Sequence, residues 1–199
     1  MTDYFAGDPR THRERMLAGD LYIGDDPELI ARADRAARLA DLYQRQTLAG
    51  DPGARDWLRA LIGHLGEDVA IRPSLHVDYG DNISIGARTF VNFNLTALDV
   101  APITIGADCQ IGPNVQLLTP THPIDPQMRR DKLEAAEPIT IGDNVWLGGG
   151  VIVCPGVTIG ENSVIGAGAV VARDIPANVV AVGNPARVMR TIEGASDGA

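Results

Sequence analysis

The sequence predicts a mainly β protein: a parallel β-helix of six-residue repeats, with an α-helical cap at its N-terminal end and one long inserted loop. The first observation is that an aliphatic residue, usually followed by Gly, recurs every six positions after about Val69. The second is that residues 1–66 place their apolar side chains at helical spacing instead. The third is composition: 45% of the 199 residues are hydrophobic but only 5% are aromatic, so small and β-branched side chains must fill the core.

Composition and charge exclude several classes of protein. The formal net charge is −9, and a net-negative surface is a poor match for nucleic acid or anionic lipid. No uncharged apolar run approaches the roughly 20 residues of a membrane-spanning helix, and the polar start of the chain is unlike a secretory signal peptide. The two cysteines, Cys109 and Cys154, show no metal-site or disulfide pattern and are expected to be packing residues. We therefore expect a reduced, cytoplasmic protein that binds neither membranes nor nucleic acid.

The N-terminal region predicts three helices. A first turn opens at Asp8–Pro9 and ends before Ala18–Gly19, since Pro favours helix starts and Gly favours helix ends. The longest helix should run over Pro27–Leu48, with Asp26 as its N-cap and an apolar stripe along one side. A third helix should span about Asp51–Gly63 and bury its apolar face. Together these helices can cap one end of a solenoid.

The repeats occupy residues 67–192, apart from a loop inserted at 118–138 and a two-residue slip near Ala101–Pro102, and a tail follows at 193–199. Repeats of this pattern begin at Ile85, Ile105, Ile111, Ile141, Leu147, Val153, Ile159, Ile165 and Val171, and the slip falls between the first two. Three such repeats make one triangular coil, in which the first and fifth side chains point inward and Gly or Asn occupies the turns. A β-sandwich with Gly-rich turns is the alternative, but it does not explain nine repeats of the same six-residue pattern.

Two residues of this array are candidates for a functional site. His122 lies near the start of the inserted loop, in the run Thr-Pro-Thr-His-Pro-Ile-Asp-Pro. Loops on a rigid scaffold often hold catalytic groups, and an imidazole, with an ordinary pKa of about 6.5, can accept a proton from a hydroxyl at neutral pH. Trp146 occupies an outward position of its repeat, which favours contact with a ligand or another subunit.

The other three histidines are not candidates for the site. We expect His12 to be solvated and His64 to lie at a helix end, and we assign no role to His76.

Several motifs beyond the repeats resemble those of the maltose and galactoside O-acetyltransferases. They are Met16-Leu-Ala-Gly-Asp-Leu-Tyr, His76-Val-Asp-Tyr-Gly, Asn92-Phe-Asn, Thr121-His-Pro-Ile-Asp-Pro and Gly183-Asn-Pro-Ala-Arg. The similarity covers almost the whole chain. It implies a left-handed parallel β-helix acyltransferase that uses acetyl-CoA as co-substrate and requires no metal. It also implies a homotrimer with active sites between neighbouring subunits.

The resemblance assigns catalytic roles to two residues of the inserted loop. His122 matches the general base, which takes the proton of a sugar hydroxyl as that hydroxyl attacks the thioester carbonyl of acetyl-CoA. Glu134 resembles the glutamate that maltose-type members have in the return from this loop. A carboxylate there would orient the imidazole and stabilise its charged form.

Four further residues match positions that line the acceptor pocket of the family. Asn92 and Asp78 offer an amide and a carboxylate, which bind sugar hydroxyls directionally. The acid at Asp78, just before Tyr79-Gly80, resembles maltose-type rather than galactoside-type members. Phe90 stands where the galactoside type has tyrosine, so we expect a ring against the sugar without a hydroxyl. Asp25 lies in an N-terminal region where galactoside-type members have an acceptor-site acid.

The donor-side matches lie in the later repeats. Trp146 matches a residue of the cofactor cleft, and Gly149 matches the position whose backbone N–H can stabilise the thioester oxyanion. Two small residues match the lining of the pantetheine groove: Ala167 and Ala172. Three arginines match basic positions near the nucleotide end of CoA, where cations suit its phosphates: Arg173, Arg187 and Arg190.

Other interpretations of the solenoid remain open. A hexapeptide acetyltransferase could use a non-sugar acceptor, such as an antibiotic or serine, although the maltose-type helices disfavour it. A non-catalytic β-helix scaffold gives no reason for the His122 loop or the outward Trp146. A γ-type carbonic anhydrase holds zinc with three histidines, and this chain has only His122 within the central repeats, apart from His76 at their start.

Overall fold

The N-terminal region is helical, as predicted. In the computed structural model, which describes residues 4–193, it contains α1 (His12–Leu17), β1 (Tyr22–Ile23), α2 (Pro27–Leu48) and α3 (Ala54–Leu61). The predicted bounds of α2 are confirmed, because the carboxylate of Asp26 accepts the N–H groups of Glu28 and Leu29 and caps the helix. Apart from Glu193, the predicted tail lies outside the described residues.

Two predicted helix starts are wrong by about one turn. The first helix begins after Thr11, which forms a capping box with Glu14, rather than at Asp8–Pro9. The third helix begins after Gly53, because the carboxylate of Asp51 accepts the N–H of Gly53 and holds the preceding residues in a turn. In both places a side-chain hydrogen bond decides where the helix starts.

The solenoid follows directly after the helices. Its first coils consist of β2 (His64–Leu65), β3 (Ala70–Ile71), β4 (Leu75–Val77), β5 (Ile83–Ile85), β6 (Phe90–Val91), β7 (Leu95–Leu98), β8 (Ile103–Ile105), β9 (Gln110–Ile111) and β10 (Gln116–Leu118). The inserted loop contains β11 (Pro120–Thr121), α4 (Pro126–Arg130) and β12 (Leu133–Ala136). The later coils consist of β13 (Ile139–Ile141), β14 (Trp146–Leu147), β15 (Ile152–Val153), β16 (Thr158–Ile159), β17 (Val164–Ile165), β18 (Val170–Val171), β19 (Val179–Val182) and β20 (Arg187–Thr191). His64 therefore begins a strand rather than ending a helix.

The coils have three faces, because each strand pairs in parallel with its equivalent in the next coil. Face one has the order β2-β5-β8-β13-β16, face two β3-β6-β9-β14-β17-β19, and face three β4-β7-β10-β15-β18. The last strand, β20, turns back antiparallel on β19 and ends face two. The predicted triangular coil of three repeats is confirmed, and this parallel solenoid is consistent with a left-handed β-helix.

The interior is filled by stacked aliphatic side chains, as the repeat predicts. On face one the stacked residues, each at most 1% exposed, are Ile85, Ile105, Ile141 and Ile159. The buried fifth positions hold smaller side chains, namely Cys109, Val145, Ser163 and Ala169. Burying one large aliphatic side chain contributes about 1.5–3 kcal/mol, so repetition of this stack is the main source of stability.

The corners between faces require glycine or asparagine. At Gly148, a Cβ would lie 2.6 Å from the backbone nitrogen of Ala167 in the next coil. At another corner Asn144, Asn162 and Asn178 adopt left-handed backbone angles, and their side-chain amides bond to one another between coils. These contacts fix the spacing of the coils and thus the positions of the outward side chains.

The helical region covers the first coil. α2 packs against α3 and β4, while Leu58 and Leu61 of α3 join the core of the solenoid. The hydroxyl of Tyr43 donates to the carbonyl of Ile71 and ties α2 to β3. Within residues 4–193 there is no helix with the length and apolar character needed to cross a membrane.

Candidate active site

A groove lies on face two. Its volume is about 450 Å³, and five residues selected from the sequence line it: Phe90, Asn92, Trp146, Gly149 and Ala167. The side chain of Trp146 is 55% exposed, so it points outward as predicted. The groove thus brings together two residues predicted for the acceptor and three predicted for the donor.

The register of face two explains how these side chains meet. One row of paired residues consists of Phe90, Gln110, Trp146, Val164, Val180 and Arg190. Residues paired across neighbouring strands point to the same side of a sheet, so this row faces outward. With a strand spacing of roughly 4.8 Å, Arg190 lies roughly 14 Å from Trp146 along the row.

The wall of the groove is a corner built largely of backbone. At the corner that follows face two, Gly148 and Gly150 donate their N–H groups to the carbonyls of Ile165 and Pro113. Within residues 4–193, the N–H of Gly149 between them has no backbone acceptor. This amide, on a residue that lines the groove, is available to donate to an oxygen atom of a ligand.

Two arginines lie at the C-terminal end of face two. Arg187 pairs with Val182 and Arg190 with Val180, on the strand that turns back along the sheet. Both side chains are exposed, and among residues 4–193 neither takes part in an ion pair. The end of the groove row therefore has two cations available to an anionic ligand.

A second group of predicted residues lies at the corner that follows face three. Asp78 follows β4, and Ala172 and Arg173 follow β18. The inserted loop leaves the solenoid at this corner, directly after β10. None of these residues lines the groove on face two, so Ala172 and Arg173 are separated from Ala167 within one chain.

The inserted loop is held in a small antiparallel sheet with the order β1-β12-β11. Tyr22 pairs with Glu134 on one side of β12, and Thr121 pairs with Ala135 on the other. Continuing the second register by one residue sets the exposed His122 opposite Glu134. Opposite residues of antiparallel strands share a face, so this continued register would bring the two predicted catalytic residues to one face, one residue past the end of β11.

Carboxylates and phenols cluster beside this sheet, and we call Asp78, Asp99 and Glu134, with Tyr22 and Tyr79, the acidic corner. The hydroxyl of Tyr22 donates to Oε2 of Glu134 at 2.7 Å. Burial, together with the charges of Asp99 and Glu134, raises the pKa of Asp78 to about 6. Burial and nearby carboxylates also raise the pKa values of Tyr22 and Tyr79, so both phenols stay protonated donors.

Asp99 shapes the acidic corner, although the sequence does not select it. Its side chain is fully buried, and its carboxylate accepts the N–H groups of Asp78, Tyr79 and Asn82. These bonds hold the turn that presents Asp78. The slip at Ala101–Pro102 marks where the repeat breaks, and an acid just before such a break is the sequence pattern that could have identified it.

Asp25 and His12 lie outside these regions, whereas Cys154 follows β15 at the corner that follows face three and Cys109 is buried inside the solenoid. Asp25 is exposed in the turn between β1 and α2. His12 is half-buried rather than solvated, because its Nδ1 accepts the N–H of Ile23 at 3.1 Å. Cys109 and Cys154 are free, and burial raises the pKa of the Cys109 thiol. In the described part of the chain, residues 4–193, no three His, Cys, Asp or Glu side chains are grouped to hold a metal ion.

Two family models match the chain. The model described as bacterial transferase hexapeptide (six repeats) matches residues 138–173. The model described as maltose acetyltransferase hexapeptide capping motif matches residues 15–66. One match thus falls on the solenoid and the other on the helical region.

Relatives and solved structures match nearly the whole chain. Nodulation protein L of Rhizobium meliloti (strain 1021) is 50% identical over 182 residues, covering 90% of this chain and 98% of that protein. A maltose O-acetyltransferase from Clostridium difficile 630 superposes with a TM-score of 0.89 at 45% identity, covering 92% of this chain and 98% of that one. A galactoside acetyltransferase in complex with coenzyme A gives a TM-score of 0.88 at 39% identity and covers 92% of each chain.

Proposed function

The chain belongs to the hexapeptide-repeat acetyltransferases with the maltose acetyltransferase capping motif, and from this membership we propose that it transfers acetyl from acetyl-CoA to a sugar hydroxyl. Membership confirms the resemblance seen in the motifs and makes the protein an acyltransferase. The sugar acceptor and the roles of individual residues are our proposal. The observation that supports it most is that His122 directly follows β11, which pairs with β12, the strand that contributes Glu134 to the acidic corner.

The groove is the proposed site for acetyl-CoA. A similar galactoside acetyltransferase was solved with coenzyme A, and the groove offers surfaces that suit such a ligand. Trp146 supplies a flat apolar surface, and the small side chain of Ala167 leaves room for a narrow chain. Arg187 and Arg190, at the end of the row, suit phosphate groups.

His122 is the proposed general base. It takes the proton of the acceptor hydroxyl while the hydroxyl oxygen attacks the thioester carbonyl, so no acyl-enzyme forms. Glu134, opposite His122, stabilises the imidazolium that results. The N–H of Gly149 donates to the carbonyl oxygen as negative charge develops there. His122 then returns its proton to the departing sulfur, which yields free CoA and the acetyl ester.

The acidic corner is the proposed site for the acceptor. The Asp78 carboxylate is buried among like charges, so hydrogen-bond donors would stabilise its ionised form. The hydroxyls of a neutral sugar supply such donors. Asn92 adds a directional amide, and Phe90 packs against an apolar face of the sugar ring. Asp25, exposed in the turn after β1, contacts the outer part of the acceptor in this proposal.

We propose that the chain forms a homotrimer whose active sites lie between subunits. The groove and the acidic corner lie at different corners of one chain, so neither can complete a site alone. In a trimer, the acidic corner of one subunit would face the groove of the next. Ala172 and Arg173 would then reach acetyl-CoA from the neighbouring subunit. Sedimentation equilibrium should give a trimer, and a stable, fully active monomer would contradict the proposal.

A panel of acceptors tests the reaction itself. We expect release of the CoA thiol from acetyl-CoA to depend on a sugar such as maltose, glucose, a galactoside or a chitooligosaccharide. Serine and antibiotic acceptors serve as the comparison. Turnover with these alone would establish the non-sugar alternative, and no turnover with any acceptor would favour a scaffold.

A further inference from the structure

One hydrogen bond joins the N-terminal region to the inserted loop at the position of Glu134. The hydroxyl of Tyr22 lies 2.7 Å from Oε2 of Glu134, although the two residues are 112 positions apart in the sequence. The residue Tyr22 is only 1% exposed, so water does not compete well for this bond. A buried donor therefore fixes one oxygen of an otherwise flexible glutamate side chain.

A second contact fixes the same carboxylate from another direction. At Gly24 a Cβ would lie 2.8 Å from Cδ and Oε1 of Glu134 and 2.9 Å from Oε2. The carboxylate therefore lies directly on the backbone of the segment that contains Tyr22. Glycine is the one residue type that leaves room for the carboxylate in this position.

The opposite side of Glu134 faces the strand that leads to His122. The register Pro120 with Ala136 and Thr121 with Ala135 continues to His122 opposite Glu134. Side chains directly opposite on antiparallel strands have Cβ atoms about 5 Å apart, within reach of a carboxylate–imidazole contact. Tyr22 and Glu134 are thus paired across β1 and β12, and His122, which directly follows β11, would extend the same row by one strand.

We propose that Tyr22 is a positioning residue for acetyl transfer, because its hydroxyl holds one oxygen of Glu134 and leaves the other for the imidazole of His122. This inference rests on the proposed function, in which His122 is the general base. A fixed carboxylate keeps the ring in one orientation and tautomer without having to be reordered at each turnover. The capping region therefore takes part in the active site as well as closing the solenoid.

The strand that contains Tyr22 is itself held in place. The N–H of Ile23 donates to Nδ1 of His12, which fixes β1 against α1. On the loop side, the hydroxyl of Tyr4 donates to Oδ2 of Asp131 at 2.8 Å. The two tyrosine–carboxylate bonds offer a matched comparison, since both tie the N-terminal region to the inserted loop but only one involves Glu134.

The first test compares three Tyr→Phe variants by steady-state kinetics. We expect Tyr22→Phe to lower kcat by about 10-fold while the KM for acetyl-CoA changes less than about twofold. Tyr4→Phe removes the bond to Asp131, and Tyr43→Phe removes a buried hydroxyl bond to the Ile71 carbonyl. Both should keep kcat within about twofold. Equal losses of kcat in all three variants would show a general structural role and overturn the proposal.

A second test asks whether Tyr22 acts through Glu134. Gly24→Ala should push the carboxylate aside and break its bond to Tyr22 without moving backbone, because the clashing atoms end a flexible side chain. We expect Tyr22→Phe and Gly24→Ala each to lower kcat in the wild-type background and to have no further effect in a Glu134→Ala background. Multiplicative losses in the double variants would overturn the proposal.

Failure of this inference can be told apart from failure of the proposed function. Full turnover in His122→Ala would contradict the role of His122 as general base, and with it the proposed function, whatever the effect of Tyr22→Phe. A severe loss in His122→Ala together with unchanged kcat in Tyr22→Phe would leave the base in place and reject the positioning role alone.

Discussion

The groove on face two and the acidic corner are built in opposite ways. The groove consists of outward side chains and glycine corners of the repeat itself, held by parallel ladders on both sides. The residues of the acidic corner come from places where the repeat is interrupted. These are the two-residue slip, the inserted loop, and the strand β1 that the helical region contributes. A solenoid thus supplies a rigid surface through its period, whereas residues for chemistry enter where the period breaks.

The two regions also differ in charge. The groove row ends at Arg190, and Arg187 lies near it on the same strand, so both can serve an anionic ligand. The acidic corner gathers Asp78, Asp99 and Glu134, and there the carboxyl pKa of Asp78 is raised to about 6. In the proposed function, the first region therefore binds phosphates and the second binds a neutral molecule rich in hydroxyl donors.

The largest expected effect is that of replacing His122, which should slow the chemical step without weakening the binding of acetyl-CoA. His122→Ala should lower kcat by roughly 10²–10⁴-fold, as loss of a general base does. The affinity for acetyl-CoA should stay nearly the same, because His122 does not line the groove of its own chain and is proposed to act on the acceptor hydroxyl. Quenching of Trp146 fluorescence by acetyl-CoA, in a Trp57→Phe background, measures that affinity. Unchanged turnover would contradict the role of His122 as general base. A large loss of affinity would contradict the separation of this base from the site for acetyl-CoA.

The next prediction concerns the rigidity of the groove. In Gly148→Ala the new Cβ would lie 2.6 Å from the backbone nitrogen of Ala167, so two coils must move apart. We expect the free energy of unfolding to fall by about 1–3 kcal/mol, as for other overpacked sites. Gly149→Ala is the matched control, since its nearest contacts are 3.4 Å from Pro113 and its cost should be within about 0.5 kcal/mol. Urea unfolding at one protein concentration distinguishes them, and equal stabilities would contradict close coil packing.

At Asp78 the ionised carboxylate should lower the stability of the fold while it helps to bind the acceptor. A carboxyl whose folded-state pKa is raised stabilises the fold fully below its unfolded pKa and loses that contribution as the pH rises through the folded value, here about 6. Asp78→Asn should therefore raise the free energy of unfolding by about 1–3 kcal/mol at pH 8 and by little at pH 4. Its KM for the acceptor should rise. A variant less stable than wild type at pH 8 would show that the ionised carboxylate is well compensated.

The smallest expected effect tests the cationic end of the groove. Arg190→Ala should raise the KM for acetyl-CoA by roughly 3–10-fold at low salt, less at high salt, and leave kcat unchanged. Arg88→Ala is the control, because Arg88 pairs with Asp108 at the corner that follows face one. Equal effects of the two substitutions would mean that overall charge, rather than the position of Arg190, governs binding.

The groove was predictable from sequence because its determinants are local. The six-residue period places Phe90, Trp146 and Ala167 on outward or corner positions, and their register follows from stacking the coils. Counting the repeats in threes would also have separated Ala167 from Ala172, since consecutive repeats occupy different faces. That step shows that the residues predicted for the donor side fall into two groups within one chain.

The acidic corner was harder to predict because its contacts are not local. Tyr22 lies in a two-residue strand, too short to show any period, and its partner Glu134 is 112 positions away. Asp99 reveals its role only through hydrogen bonds to a turn of the preceding coil. His122 was identifiable from its motif, but its position opposite Glu134 depends on the register of the hairpin β11-β12.

Mixed trimers test most directly whether one site is divided between two chains. His122→Ala disables the acidic-corner side, and Ala167→Trp should block the groove. If each site joins the acidic corner of one chain to the groove of the next, random mixing of these two inactive variants should restore about a quarter of the wild-type activity. No recovered activity, in trimers shown by native mass spectrometry to be mixed, would place both regions of each site on a single chain and contradict the division.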